Sequence, residues 1–97
     1  MKKIKTLLVK NRQNILALSA QHGAHNVRVF GSVARGEEGP RSDLDLLVDL
    51  DSDRNYLDLA NLLVDLEDLL GCPVDVVPTG DLHWYVRDQI LAEASPI

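Results

Sequence analysis

Apolar residues recur at helical spacing near the start of the chain, at Ile4, Leu7, Leu8, Ile15, Leu16 and Leu18, with Asn11 in the same stripe. That spacing predicts an amphipathic helix from Lys2 to about Gln21, stopped near Gly23. "VRVF", Val27 to Phe30, is rich in β-branched residues and predicts a short strand. "GSVARG" follows, with a glycine at each end and helix formers between, which predicts a tight turn into one short helix. Glu37 to Ser42, "EEGPRS", is loop by composition. "DLDLLVDL", Asp43 to Leu50, alternates at first and then runs apolar, as a strand does. Asp51-Ser52-Asp53 ends it and offers a helix cap. Tyr56, Leu59, Leu62, Leu63, Leu66, Leu69 and Leu70 form a strong helical stripe closed by Gly71. "PVDVVP", Pro73 to Pro78, predicts a third strand, and Asp81 is placed to cap a last helix from Leu82 to about Ala94.

The order αβ(α)βαβα predicts an α/β fold, a small mixed sheet of three or so strands flanked by helices. The second and third strands are joined through a helix, as in a right-handed crossover, and are expected to be parallel. The first and second are joined by a short excursion and are expected to be antiparallel. No composition shift marks a linker, so residues 1–97 are expected to form a single domain.

Composition changes this picture little. Hydrophobic residues make up 45% and charged residues 26%, ordinary for a globular protein, while aromatics at 4% leave the core to aliphatic side chains. The formal charge of −5 argues against direct binding along nucleic acid, which runs on cationic contacts to phosphates. The one cysteine, Cys72, rules out an internal disulfide and fits a reducing cytoplasm. The apolar run Thr6 to Val9 is cut short by Lys10 and Arg12, too soon for a signal peptide. No segment is long and apolar enough to span a membrane.

The candidate chemistry lies in three aspartates that interrupt predicted strands. Asp43 and Asp45 are two apart, so on a strand they share one face with α-carbons about 6–7 Å apart. Asp75 sits in "VDVV" on the next strand. Were those strands neighbours, three carboxylates would converge. Close carboxylates repel and take up protons unless a cation compensates. Mg²⁺ suits such oxygen-only clusters, and two ions about 4 Å apart can clamp the attacking and leaving oxygens of an in-line phosphoryl or nucleotidyl displacement. The plainer alternative makes Asp43 a strand-entry cap and Asp45 and Asp75 polar edge positions. Gly31 and Ser32 add weight to the first reading. A glycine after a strand lets the backbone approach a phosphate, and neighbouring amides and the serine hydroxyl can hold an anion.

Gly31, Ser32, Asp43 and Asp45 together match the GS-x10-DxD pattern without a gap, and the chain resembles the DNA polymerase β-like nucleotidyltransferase superfamily. "GSVARGEEGPRSDLDLLV" is similar to the minimal nucleotidyltransferase group, and the likeness extends through "VDVV" to the closing "VRDQILAEASPI". The resemblance implies a polymerase β-like fold and an ATP substrate whose phosphates are held by Gly31 and Ser32. It implies two Mg²⁺ ions on Asp43 and Asp45, with Asp75 as the third catalytic carboxylate helping to activate the attacking hydroxyl. Arg35, one helical turn after the Gly-Ser pair, could reach a phosphate or pair with Glu37 or Asp43. It further implies the antitoxin of a toxin–antitoxin module that transfers AMP to a tyrosine of a HEPN-type toxin, since larger nucleotidyltransferases add a domain for the acceptor. An antitoxin that acts by binding alone and an enzyme with a small-molecule acceptor are the competing readings.

The remaining polar residues carry blander expectations. Arg41 reads as a loop cation, and Lys2, Lys3, Lys5 and Lys10 as a solvated helix face. His22, His25 and His83 lack metal-ligand spacing. Trp84 and Tyr85 read as core or partner packing rather than a base-stacking platform.

Overall fold

The computed structural model describes residues 4–37, 39 and 43–97. Lys2, Lys3, Arg41 and Ser42 lie outside the described residues, as do positions 38 and 40. The first helix is divided into α1 (Ile4–Lys10) and α2 (Arg12–Gln21). The hydrogen-bond ladder runs through the break, from the Asn11 amide to the Leu7 carbonyl at 3.0 Å and from the Ile15 amide to the Asn11 carbonyl at 2.9 Å. The Asn11 side chain also donates to Leu7 at 3.0 Å, the local competition by which asparagine weakens helix interiors. After β1 (Ala24–Phe30) come the single-turn α3 (Gly31–Ala34), β2 (Leu44–Leu50), α4 (Tyr56–Leu70) and β3 (Val74–Pro78). A 3-10 turn at Thr79–Asp81, α5 (Trp84–Glu93) and a two-residue strand β4 (Ser95–Pro96) complete the order.

The sheet runs β3-β2-β1-β4. As expected, β1 and β2 are antiparallel and β2 and β3 parallel. The fourth strand, antiparallel to β1, was not foreseen, because two residues carry no periodicity. β2 is central, which explains its continuous apolar run: Leu46, Leu47 and Val48 are all fully buried. Leu44, Leu46 and Val48 join Val74 and Val76 of β3 and Val27 and Val29 of β1 in one core. The α4 stripe Leu59, Leu62, Leu66 and Leu70 supplies the other half, with Ile4, Leu8 and Ile15 from the first two helices.

Two caps differ from expectation. The α4 cap is Asn55, not the Asp51-Ser52-Asp53 run. Its side chain accepts from the Leu57 amide at 2.9 Å, while Asp58 accepts from the Asn55 amide at 3.0 Å, a reciprocal capping box. Asp81 does not cap α5 either; it lies in the 3-10 turn and accepts a hydrogen bond from the Tyr56 hydroxyl. Among the described residues, no helix is long and apolar enough to cross a membrane.

Candidate active site

The pairing register builds the site. Phe30 of β1 stands opposite Asp45 of β2, and Asp45 stands opposite Asp75 of β3. In-register residues on neighbouring strands share a sheet face at about 4.8 Å strand spacing. The two aspartates are therefore adjacent through backbone hydrogen bonding alone. Asp43 lies one residue before β2 rather than inside it, and is exposed. The amide of Leu44 donates to the Pro73 carbonyl at 3.0 Å, which ties this entry to the start of β3.

Gly31 follows Phe30 with φ of +75°, a left-handed conformation that favours glycine. A Cβ at Gly31 would collide with the Oδ2 atom of Asp45. Two constraints thus select glycine here: the backbone angle, and the carboxylate lying against it.

The electrostatics follow from this crowding. Burial first, then the carboxylates of Asp75 and Asp43, push the Asp45 carboxyl above its usual range; Arg35 opposes them weakly. No side chain of Asp43, Asp45 or Asp75 has a hydrogen-bond or ion-pair partner among the described residues. Among those residues, no three acidic, histidine or cysteine groups are drawn to metal-ligand spacing. The backbone aligns the donors, and the carboxylates stand apart as like charges do. Three oxygen-donor groups, partly solvated and in ion pairs with no cation among the described residues, are of the kind a hard divalent cation takes.

The nucleotide side of the prediction is placed beside this row, with one addition. The Gly31 amide donates to Oε1 of Glu93 at 2.6 Å. Arg35 donates from Nε to Glu37 at 2.8 Å and from Nη1 to both Glu93 oxygens at 3.1 and 3.0 Å. These bonds raise the Arg35 pKa, Glu37 first and then Glu93. The Ser32 hydroxyl has no partner among the described residues. Glu93 was missed by sequence reasoning although it lies in the closing segment. A signal existed: a carboxylate in the last turn of a helix opposes the macrodipole and calls for a partner.

Other candidates fall elsewhere. His22 pairs with Asp65 at 2.8 Å and His25 with Asp51 at 3.1 Å, both structural contacts. Trp84 is 85% exposed and Tyr85 66%, so neither is core. They open α5 and stand roughly 14 Å from Glu93 at 1.5 Å per helical residue. A groove of about 220 Å³ lined by Leu8, Val9, Val29, Val33, Pro96 and Ile97 contains none of the predicted site residues. The strand register carries more weight than the groove, because it explains the carboxylates.

Known proteins are similar to this chain in sequence and in fold. A solved structure provisionally named a minimal nucleotidyltransferase superposes with a TM-score of 0.88 at 49% identity, covering 99% of this chain and 97% of the other. A protein of Methanocaldococcus jannaschii, provisionally named a protein adenylyltransferase, is 37% identical over 83 residues, 86% of this chain and 89% of the relative. A toxin–antitoxin crystal structure with AMP-PNP superposes at 0.75 with 20% identity, over 89% of this chain and 71% of that one, a likeness of fold alone. The nucleotidyltransferase domain model matches residues 12–96, which contain every aspartate of the row and the Gly-Ser turn, and the chain belongs to that family.

Proposed function

We propose that the chain transfers AMP from ATP to a tyrosine hydroxyl of a partner HEPN-type toxin and so acts as the antitoxin of the pair. The observation that carries the transfer chemistry is the in-register pair Asp45 and Asp75, next to Asp43, with the Gly31 backbone against Asp45 and the Asp45 carboxyl pushed above its usual range despite Arg35. Support for a protein acceptor comes from the adenylyltransferase relative, and support for a toxin partner and ATP from the toxin–antitoxin fold neighbour with its ATP analogue. The exposed Tyr56, Leu57, Trp84 and Tyr85 supply apolar surface of the kind protein partners cover.

Asp43 and Asp45 would hold two Mg²⁺ ions, with Asp75 completing the donor set. Bound there, the ions supply Lewis-acid stabilisation of the negative charge on the transferring phosphate. The chain's own groups do the rest. The Gly31-Ser32 turn and Arg35 stand on the nucleotide side, where the Ser32 hydroxyl can donate to a phosphate oxygen. Asp75, exposed at the end of the row, takes the proton of the entering hydroxyl. That oxygen bonds to the α-phosphorus, the bond to the β-phosphate oxygen breaks, and pyrophosphate leaves. The contribution is positioning and fixed charge. The single free cysteine, Cys72, and the use of ATP support a cytoplasmic setting for this activity.

The test mixes the protein with ATP, Mg²⁺ and the product of the adjoining reading frame, and records the intact mass of both chains. One or more AMP-sized increments on the partner are expected. A tight complex without any increment, unaltered by Asp43→Ala with Asp45→Ala, would overturn transfer in favour of neutralisation by binding alone.

A further inference from the structure

The fourth carboxylate at the site has an arrangement of its own. Glu93 closes α5, where a negative charge opposes the helix dipole. Its side chain is only 17% exposed, and its charge adds to the upward pull on Asp45. Such a placement is unfavourable unless specific partners offset it. Glu93 has two: the Gly31 amide at 2.6 Å, and Nη1 of Arg35 at 3.1 and 3.0 Å. Bonds of this kind, with an ionised acceptor, are among the stronger hydrogen bonds in proteins.

The position of Glu93 is itself held by strand pairing. Ser95 and Pro96 of β4 pair with Val29 and Arg28, just before the Gly-Ser turn. The turn is therefore gripped from two sides. Glu93 takes the Gly31 N–H, and Asp45 lies where a Cβ of Gly31 would stand. Arg35 divides its charge between Glu37 and Glu93. Of the turn's side chains, only the Ser32 hydroxyl is left without a partner among the described residues.

We propose that Glu93 is a positioning residue of the transfer site: through the Gly31 amide and Arg35 it sets the Gly31-Ser32 turn against Asp45, and leaves Ser32 to meet the nucleotide. The role rests on the nucleotidyl-transfer reading above. Arg35 then acts through Glu93 rather than as a separate phosphate ligand.

The test compares wild type, Glu93→Gln and Glu93→Ala by amide spectra and by affinity for AMP-PNP with Mg²⁺. In wild type the Gly31 amide proton should resonate far downfield, because a short bond to a carboxylate deshields it. Glu93→Ala should lose that shift and weaken AMP-PNP binding by about tenfold, the worth of one such hydrogen bond. Glu93→Gln keeps an acceptor oxygen and should recover most of the affinity and part of the shift. It also carries the test should the alanine variant fail to fold. An unmoved Gly31 resonance overturns the proposal, as does affinity that stays the same or tightens; tightening would mean that Glu93 competes with the phosphates. If wild type binds AMP-PNP and shows the shifted resonance but transfers nothing, the transfer reading fails and the proposed role falls with it. If wild type transfers AMP and the Glu93 variants match it, only the Glu93 proposal fails.

Discussion

Asp45 and Asp49 lie on the same strand and, being an even number of residues apart, on the same face, yet they live in opposite surroundings. Asp49 accepts from Thr79 at 2.7 Å, Arg28 at 2.9 Å and Asn26 at 3.0 Å. Thr79 first, then Asn26, and Arg28 more weakly hold its carboxyl below the usual range. Asp45 has burial and then the carboxylates of Asp75, Asp43 and, more weakly, Glu93, which push it up. One strand thus carries a carboxylate the fold satisfies and one it leaves in deficit. The satisfied one joins β1, β2 and the turn after β3. The unsatisfied one is kept at a cost the fold could remove by substitution, which is what the proposed role in transfer calls for.

Breaking the deficit end should have the largest effect. Asp43→Asn with Asp45→Asn is expected to lower AMP transfer by about 10³-fold or more, while the thermal midpoint stays level or rises because repulsion is relieved. Steady-state transfer and a melting curve together check this. Gly31→Ala comes next. A positive φ costs an L-residue about 1–2 kcal/mol, and the added methyl would also force Asp45 aside, so both transfer and stability should fall.

At the satisfied end the pattern should reverse. Asp49→Ala is expected to leave transfer unchanged and to cost about 1 kcal/mol, since Asp49 is itself half exposed and its bonds are screened. For a domain of this size that lowers the midpoint by roughly 4–8 °C.

The smallest effect is in pH dependence, where the two ends differ in sign. The lowered Asp49 carboxyl contributes stability above its unfolded pKa of about 3.9, and that share is lost as pH falls through the folded value. The raised Asp45 carboxyl binds its proton more tightly when folded, so its penalty appears as pH rises above the unfolded value. Asp49→Asn should therefore flatten the gain in stability between acid and neutral pH, and Asp45→Asn should steepen it. Denaturant titrations across that range measure both slopes.

What the sequence revealed follows the distance over which each feature is encoded. The Gly-Ser turn, the Asp43 and Asp45 spacing and the directions of three strands are local, and all were legible. The nearness of Asp75 to Asp45 needed the parallel pairing of β2 and β3, which the helical connection implied but only the register established. Glu93 was not legible, because its partner Gly31 is far away in the chain and the two meet only when β4 folds back on β1. The α4 cap was misplaced for a different reason. Asp51, Ser52, Asp53 and Asn55 are all cap formers, and the choice fell to Asn55, whose third helical residue is an aspartate able to return the hydrogen bond.

The central claim, nucleotidyl transfer at the aspartate row, is tested most directly by the fate of the α-phosphate. The protein, Mg²⁺ and the proposed toxin partner are incubated in parallel with ATP labelled at the α- or the γ-phosphorus, and label on the partner is counted. The account predicts α-label on the partner, no γ-label, and neither with Asp43→Asn and Asp45→Asn. Transfer of γ-label, or no label on a partner that is nonetheless neutralised, would contradict it.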